Sequence, residues 1–291
     1  MKQTSLVLSF ALLAAPLALV AQSSSSSSTL VAEESSFGGG AGQASSPIKS
    51  SLGAIGPLSR VAVSAGISPM GIQLQVATNL SRHFNVRGTG NFFNYTVNNI
   101  TVDSSGGTNG FNLKGTVNFA SAGASLDYYP FPNHGFRVSP GALFYNQNNI
   151  SASAIAAGGT SFTLNSQKYY SDSAAPLNVA ANLGLNTNNP AITITTGWGD
   201  MIPRRGGHWS FPFEIGAAFT GVPALSVGLT GSACTNQADA AANGPSCVIM
   251  ATNATAQTNL NAQVATYKND LNPLQVYPII SIGLAYSFRI R

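Results

Sequence analysis

Ile280-Ser281-Ile282-Gly283-Leu284-Ala285-Tyr286-Ser287-Phe288-Arg289-Ile290-Arg291 puts a large apolar side chain at every even position and Ser, Gly, Ala or Arg at every odd one. Side chains of a β-strand alternate between its faces, so this is strand periodicity with one bulky face and one small face. Val61, Val63 and Ile67 repeat it against Ala62, Ser64 and Gly66, and Ile72, Leu74 and Val76 repeat it against Gln73, Gln75 and Ala77. Phe211, Phe213, Ile215 and Phe219 do the same against Pro212, Glu214, Gly216 and Thr220. Alternation fits membrane and soluble barrels alike, because the two differ only in which face looks outward. The small face decides between them. A water-exposed wall would carry Lys, Glu and Thr at most positions, whereas this one carries mainly Gly, Ala and Ser. Small residues suit the crowded interior of a narrow barrel, which leaves the bulky face outward, where only lipid tolerates it. The pattern predicts a transmembrane β-barrel.

Composition agrees. The 291 residues hold 13 Lys+Arg and 9 Asp+Glu, so only 8% are charged, yet the hydrophobic fraction is 44%. A soluble domain carries about 25% charged residues, and no apolar run beyond the N-terminus reaches the ~18 residues of a membrane helix. The net charge of +4 rests on few residues and shows no basic stripe, so no nucleic-acid partner is expected. Strands are expected near 59–67, 71–80, 85–98, 111–129, 135–154, 190–201, 208–230 and 274–290, giving an eight-stranded antiparallel up-and-down barrel. Connections at Ser81–Phe84, Phe131–His134 and Pro203–Gly207 are short, whereas those near 99–110, 155–189 and 231–273 are long, as in outer-membrane barrels. Within the fourth strand the bulky residues move from odd (Val117, Phe119) to even positions (Leu126, Tyr128), which predicts a bulge near Ala120. Phe84, Tyr128, Phe131, Phe136, Trp209 and Phe211 flank the short turns, while Phe92, Tyr95, Phe144, Phe219 and Tyr277 lie toward the long loops, as two interfacial girdles would.

Lys2, the apolar stretch from Leu6 to Val20 and the small residues after it read as a secretory signal peptide over 1–23. The Ser/Gly-rich stretch 24–57 reads as a flexible linker, since it buries too little apolar surface to offset its ordering entropy. The barrel is expected over 58–291. Cys234 and Cys247 read as a disulfide closing a surface loop, with two free thiols as the alternative and no His near enough for a metal pair. Ser161–Leu164 and Lys168–Tyr170 are expected to form a hairpin extending the barrel wall. Leu260, Val264, Tyr267 and Leu271 recur at helical spacing, which predicts a short helix in the last outer loop, packed on the loops.

The stretches Ser125-Leu126-Asp127-Tyr128-Tyr129-Pro130-Phe131, Gly197-Trp198-Gly199 and Tyr277 to Phe288 resemble a group of bacterial outer-membrane β-barrel proteins, similar in outline to the transmembrane domains of outer membrane proteins A and W. The resemblance covers about residues 59–291. It implies a Gram-negative outer-membrane location, contact with outer-membrane lipid, and recognition of the C-terminal strand by the outer-membrane assembly machinery. It says little about activity. The group's aromatic last residue is replaced here by Arg289-Ile290-Arg291 after Phe288.

The three histidines, His83, His134 and His208, all fall at the short turns, away from the outer rim where the enzymes of this resemblance class keep their catalytic residues. No catalytic set, cofactor or metal is therefore expected. The lumen face carries Arg60, Arg87, Arg137 and Arg289 with Asp127 and Glu214. Charges inside a narrow barrel must pair, because an isolated buried charge is costly. The expectation is a charge network that plugs the lumen of a structural or surface-interaction protein, whose long loops could take an extracellular ligand. The alternatives are a narrow channel or transporter for small solutes or hydrophobic compounds and, behind it, a lipid-modifying enzyme.

Overall fold

The computed structural model describes residues 56–103, 110–131, 134–204 and 207–290. The signal peptide and the linker up to residue 55 lie outside the described residues. In chain order the strands are β1 (Arg60–Ser68), β2 (Gly71–Asn79), β3 (Phe84–Asp103), β4 (Gly110–Tyr128), β5 (Arg137–Asn146) and β6 (Asn149–Ala156). There follow β7 (Ser161–Leu164), β8 (Gln167–Ser171), β9 (Asn178–Gly184), β10 (Ala191–Trp198), β11 (Trp209–Ser210), β12 (Phe213–Phe219) and β13 (Ala224–Thr230). Last come β14 (Ser232–Cys234), β15 (Cys247–Ile249), helix α1 (Ala254–Asp270) and β16 (Val276–Arg289).

Pairing closes a ring. Going round it, β1 neighbours β2, β3, β4, β5, β10, β12 and β16, and β16 returns to β1, every pair antiparallel. Each neighbour follows its predecessor in chain order, as in an up-and-down meander. Around this ring the bulky face looks outward: Ile282 is 55% exposed, Leu284 41%, Phe213 38% and Ile215 43%. Between them Ser281, Ala285, Glu214 and Ala218 are buried on the inner face. No helix among the described residues is long and apolar enough to cross a membrane.

The ring forks at β4. Its lower half, Ser121–Tyr128, pairs with β5, whereas its upper half, Phe111–Asn118, pairs with β6. Beyond the fork β6, β9 and β13 continue the sheet upward beside β3 and β4. The expected strands 135–154, 190–201 and 208–230 are therefore broken or extended. The first runs as β5 then β6, β9 precedes β10 out of the expected loop 155–189, and β12 is followed by β13. Asn and Thr side chains satisfy the backbone at these breaks. Asn146 Nδ2 donates to Leu185 O at 3.0 Å, Asn188 Nδ2 to Phe219 O at 3.3 Å, and Thr187 Oγ1 to Val222 O at 2.6 Å. Gly221, at φ +79°, turns the chain between β12 and β13.

The bulge expected near Ala120 is not in β4. Its pairing with β3 runs unbroken from Tyr128 past Ala120 to Gly115, and the irregularity opposite lies in β5, where Ala122 faces Tyr145 and Gly123 faces Leu143. The odd residues of β4 keep one face throughout. Asp127 and Ser121 are buried there in the lower half, and Val117 and Phe111 in the upper half. The change in hydrophobicity comes from a change of surroundings, from polar lumen to apolar core.

That core is a cap built by the outer segments. Phe111, Ala154, Leu177 and Leu229 of the upper sheet region pack with Phe162, Tyr169, Met250 and Leu260. The hairpin β7–β8 forms as expected, but it joins β14 and β15 in a separate four-stranded sheet instead of the wall. Cys234 and Cys247 are joined in a disulfide between β14 and β15. Helix α1 starts at Asn253, whose Oδ1 accepts from the Ala256 N–H at 2.9 Å, a side-chain cap that satisfies an otherwise orphan donor. It buries Ala256 and Leu260 against the cap.

Truncating a buried leucine costs about 2–5 kcal/mol, and Leu260 belongs to the cap core alone. Leu260→Ala is expected to speed tryptic cleavage at the cap lysines Lys168 and Lys268 severalfold. The ring should keep the heat resistance of the parent, as read by the temperature at which its folded gel mobility is lost.

Candidate functional site in the lumen

Four of the six charged residues expected in the lumen meet at one level. Arg87 on β3 contacts Asp127 Oδ1 on β4, at 3.1 Å from Nε and 3.0 Å from Nη2. The same guanidinium reaches both oxygens of Glu214 on β12: Nη1 touches Oε2 and Nη2 lies 3.2 Å from Oε1. Arg137 on β5 adds a contact from Nη2 to Glu214 Oε2 at 3.3 Å. All four side chains are buried. In the ring order β3 and β12 are four strands apart, so the Arg87–Glu214 bridge crosses the full diameter. Two cations and two carboxylates balance, and bidentate Arg–carboxylate geometry is the strongest form such a pair takes.

Glycine makes the room. A Cβ at Gly197 of β10 would run into Phe213 O and sit 3.2 Å from the Arg137 guanidinium carbon. Above the ionic layer lies a cavity of about 50 Å³ bordered by Gln73, Gln75, Asn91, Thr193 and Thr195. Met70, Leu143 and Ile279 also line it, so its wall is mixed, with enough polar groups and room for ordered water.

Below the layer the connection after β10 does more than turn. The expectation was a plain short turn at Pro203–Gly207, but the chain from Gly199 to Arg204 folds into the ring. Met201 and Ile202 are buried against Ala62, Ala77 and Ala285, whose small side chains leave space for them. The insertion is tied at each side: Arg137 Nη1 donates to Gly199 O at 2.6 Å, and Arg60 Nη1 to Pro203 O at 2.6 Å. Arg204 lies 3.7 Å over the Tyr129 ring and donates from Nη2 to Asn85 Oδ1 at 3.3 Å. Tyr129, just past β4, is fully buried, and burial followed by the Asp127 charge pushes its phenol up to about 12, so it stays neutral.

Arg60 and Arg289 are thus outside the ionic layer. Arg60 serves the inserted turn, and Arg289 faces Arg60 across the β1–β16 pairing nearer the mouth. They miss the network because the charges on one face of the ring sit at different heights, which alternation does not report. The inserted turn had one sequence signal: an apolar pair, Met201-Ile202, in a connection too short and polar to need it. The histidines stand at the turns as expected, all three exposed, with His208 Nδ1 2.7 Å from Ser287 O.

No family model matches this sequence, and no curated protein does. Among solved structures, the crystal structure of Acinetobacter baumannii CarO matches at 17% identity over 81% of this chain and 100% of that one, with a TM-score of 0.44. CarO2 of the same organism matches at 16% identity over 79% of this chain and 99% of that one, with a TM-score of 0.47.

Removing one partner of a buried ion pair typically costs about 3–5 kcal/mol, because the other charge stays behind without compensation. Glu214 is the partner of two arginines. Glu214→Ala is expected to lower the temperature of lost gel mobility more than Arg204→Ala, whose side chain stacks at the lower edge. Equal losses would show that the ionic layer is not what braces the ring.

Proposed function

We propose that the chain is an outer-membrane β-barrel protein with a shut lumen, whose outward-facing cap carries a structural or surface-interaction role. The observation behind this is the ring's outer wall. Its apolar side chains are exposed all the way round, from Val63 and Leu74 through Ile192 and Ile215 to Leu284. A wall of this kind in water would be an aggregation liability. In a bilayer it is the required surface, and a closed ring leaves no strand edge unpaired in hydrocarbon. Exposed aromatics at the turn end, among them Phe84, Tyr128, Trp209 and Phe211, suit the interface with lipid headgroups. The outline resembling outer membrane proteins A and W points the same way, with the C-terminal strand β16 as the segment the assembly machinery would read.

Two layers shut the lumen, the ionic bridge across its diameter and the Met201–Ile202 insertion below. The role proposed is structural and not enzymatic, in keeping with three histidines that stand at the turns and away from the outer rim. The runner-up is a narrow channel, favoured by the cavity above the bridge, into which Gln73, Gln75, Asn91, Thr193 and Thr195 bring polar groups.

Refolded into planar bilayers, the parent protein is expected to give no steady conductance. Glu214→Ala alone should stay closed, since the inserted turn remains, and joining it to Met201→Gly and Ile202→Gly should open steady small channels. Steady conductance from the parent would replace this reading by the channel. A water-soluble form without heat-modifiable gel mobility would remove the membrane assignment.

A further inference from the structure

Basic residues are sorted by type along this molecule. The described arginines, Arg60, Arg82, Arg87, Arg137, Arg204 and Arg289, all lie in the turn-side half, while the described lysines, Lys114, Lys168 and Lys268, all lie in the upper sheet and cap. Of the turn-side carboxylates, Asp127 and Glu214 are taken by Arg87 and Arg137, and Asp200 is 3.7 Å from Arg204. Arg60, Arg82 and Arg289 have no ion pair among the described residues.

Two of those arginines are placed against each other. Arg60 and Arg289 are direct partners in the β1–β16 register, on the inner face that holds Ala62 and Ser287 two residues further in. Like charges directly opposite on paired strands are destabilising. They border a cavity of about 310 Å³ at the turn-side mouth, together with His208, Gly207, Ser287 and Phe288, and among the described residues no carboxylate borders it. Arg60 and His208 are held by backbone carbonyls, Pro203 O and Ser287 O, which orient both side chains and leave the arginine's charge unpaired. The His208 ring also stacks on Tyr286, at 5.5 Å between centroids.

We propose that this mouth is a binding site for a phosphate group, clasped by Arg60 and Arg289 beside His208. The guanidinium fork matches phosphate oxygens bidentately, and an anion between the two arginines converts their repulsion into a bridge. The phosphate comes either from a phospholipid headgroup at the aromatic-lined rim or from a soluble phosphate compound. The site itself does not depend on the membrane reading; only its lipid source does.

The test uses the full chain refolded in zwitterionic detergent, with the temperature of half-lost folded gel mobility as readout. Inorganic phosphate is titrated at fixed ionic strength against chloride and acetate. In a second arm phosphatidylglycerol is titrated into micelles of a phosphate-free detergent, against a galactolipid with the same acyl chains. A saturable rise of several degrees is expected with phosphate, with phosphatidylglycerol, or with both, and the responding arm names the source. Arg60→Gln with Arg289→Gln should weaken the apparent affinity at least tenfold; Arg289→Gln alone, which keeps the tie from Arg60 to Pro203 O, should in chloride be no less heat-stable than the parent, since the facing like charges are gone. His208→Gln, a milder change, should weaken it severalfold. The proposal is overturned if stability follows ionic strength alone, if acetate serves as well as phosphate, or if the variants respond like the parent.

Discussion

Closure of the sheet on itself, through the pairing of β4 with β5, is the constraint from which the other features follow. Once the last ring contact forms, each strand has one face that looks out and one that looks into a space only a few side chains wide. The outer face then needs a medium that accepts Ile, Leu and Phe, and the inner face needs residues small enough to fit or charges able to pair. Glycine, alanine and serine meet the first inner requirement; Arg87, Asp127, Arg137 and Glu214 meet the second. The bridge across the diameter is therefore both a consequence of closure and a brace for it.

The same pairing explains the cap. Because β5 breaks away from β4 after Asn146, the upper half of β4 is free to pair with β6, and the sheet continues beyond the ring. One face of one strand then serves two solvents, a polar lumen around Asp127 and an apolar core around Phe111. The long outer segments fold on that second face, with a disulfide, a small sheet and a helix of their own.

Much of this was legible from residue order. The period-two pattern gives the ring strands and their outward face, and the spacing of Leu260 and Val264 gives the helix. The pairing of Arg87 and Glu214 follows from the cost of burying charge. Three things were not legible, each for a physical reason. A reversal of hydrophobic phase along β4 has two causes, a bulge or a change of environment, and only the neighbours tell them apart. Height along a barrel depends on strand stagger, so Arg60 and Arg289 could not be separated from the ionic layer by face alone. A connection such as Gly199–Arg204 can loop into solvent or fold inward, and Met201-Ile202 settles the matter only once the small residues Ala62, Ala77 and Ala285 are known to surround it.

The central claim is that the bulky face of the ring meets hydrocarbon. Nitroxide labels placed singly at Ile282, Ile215 and, on the cap, Lys168 in protein reconstituted into lipid vesicles test it directly, by comparing relaxation with oxygen, which concentrates in lipid, and with a water-soluble nickel chelate. Oxygen-dominated relaxation is expected at Ile282 and Ile215, and nickel-dominated relaxation at Lys168. Nickel-dominated relaxation at Ile282 and Ile215 would place that wall in water and contradict it.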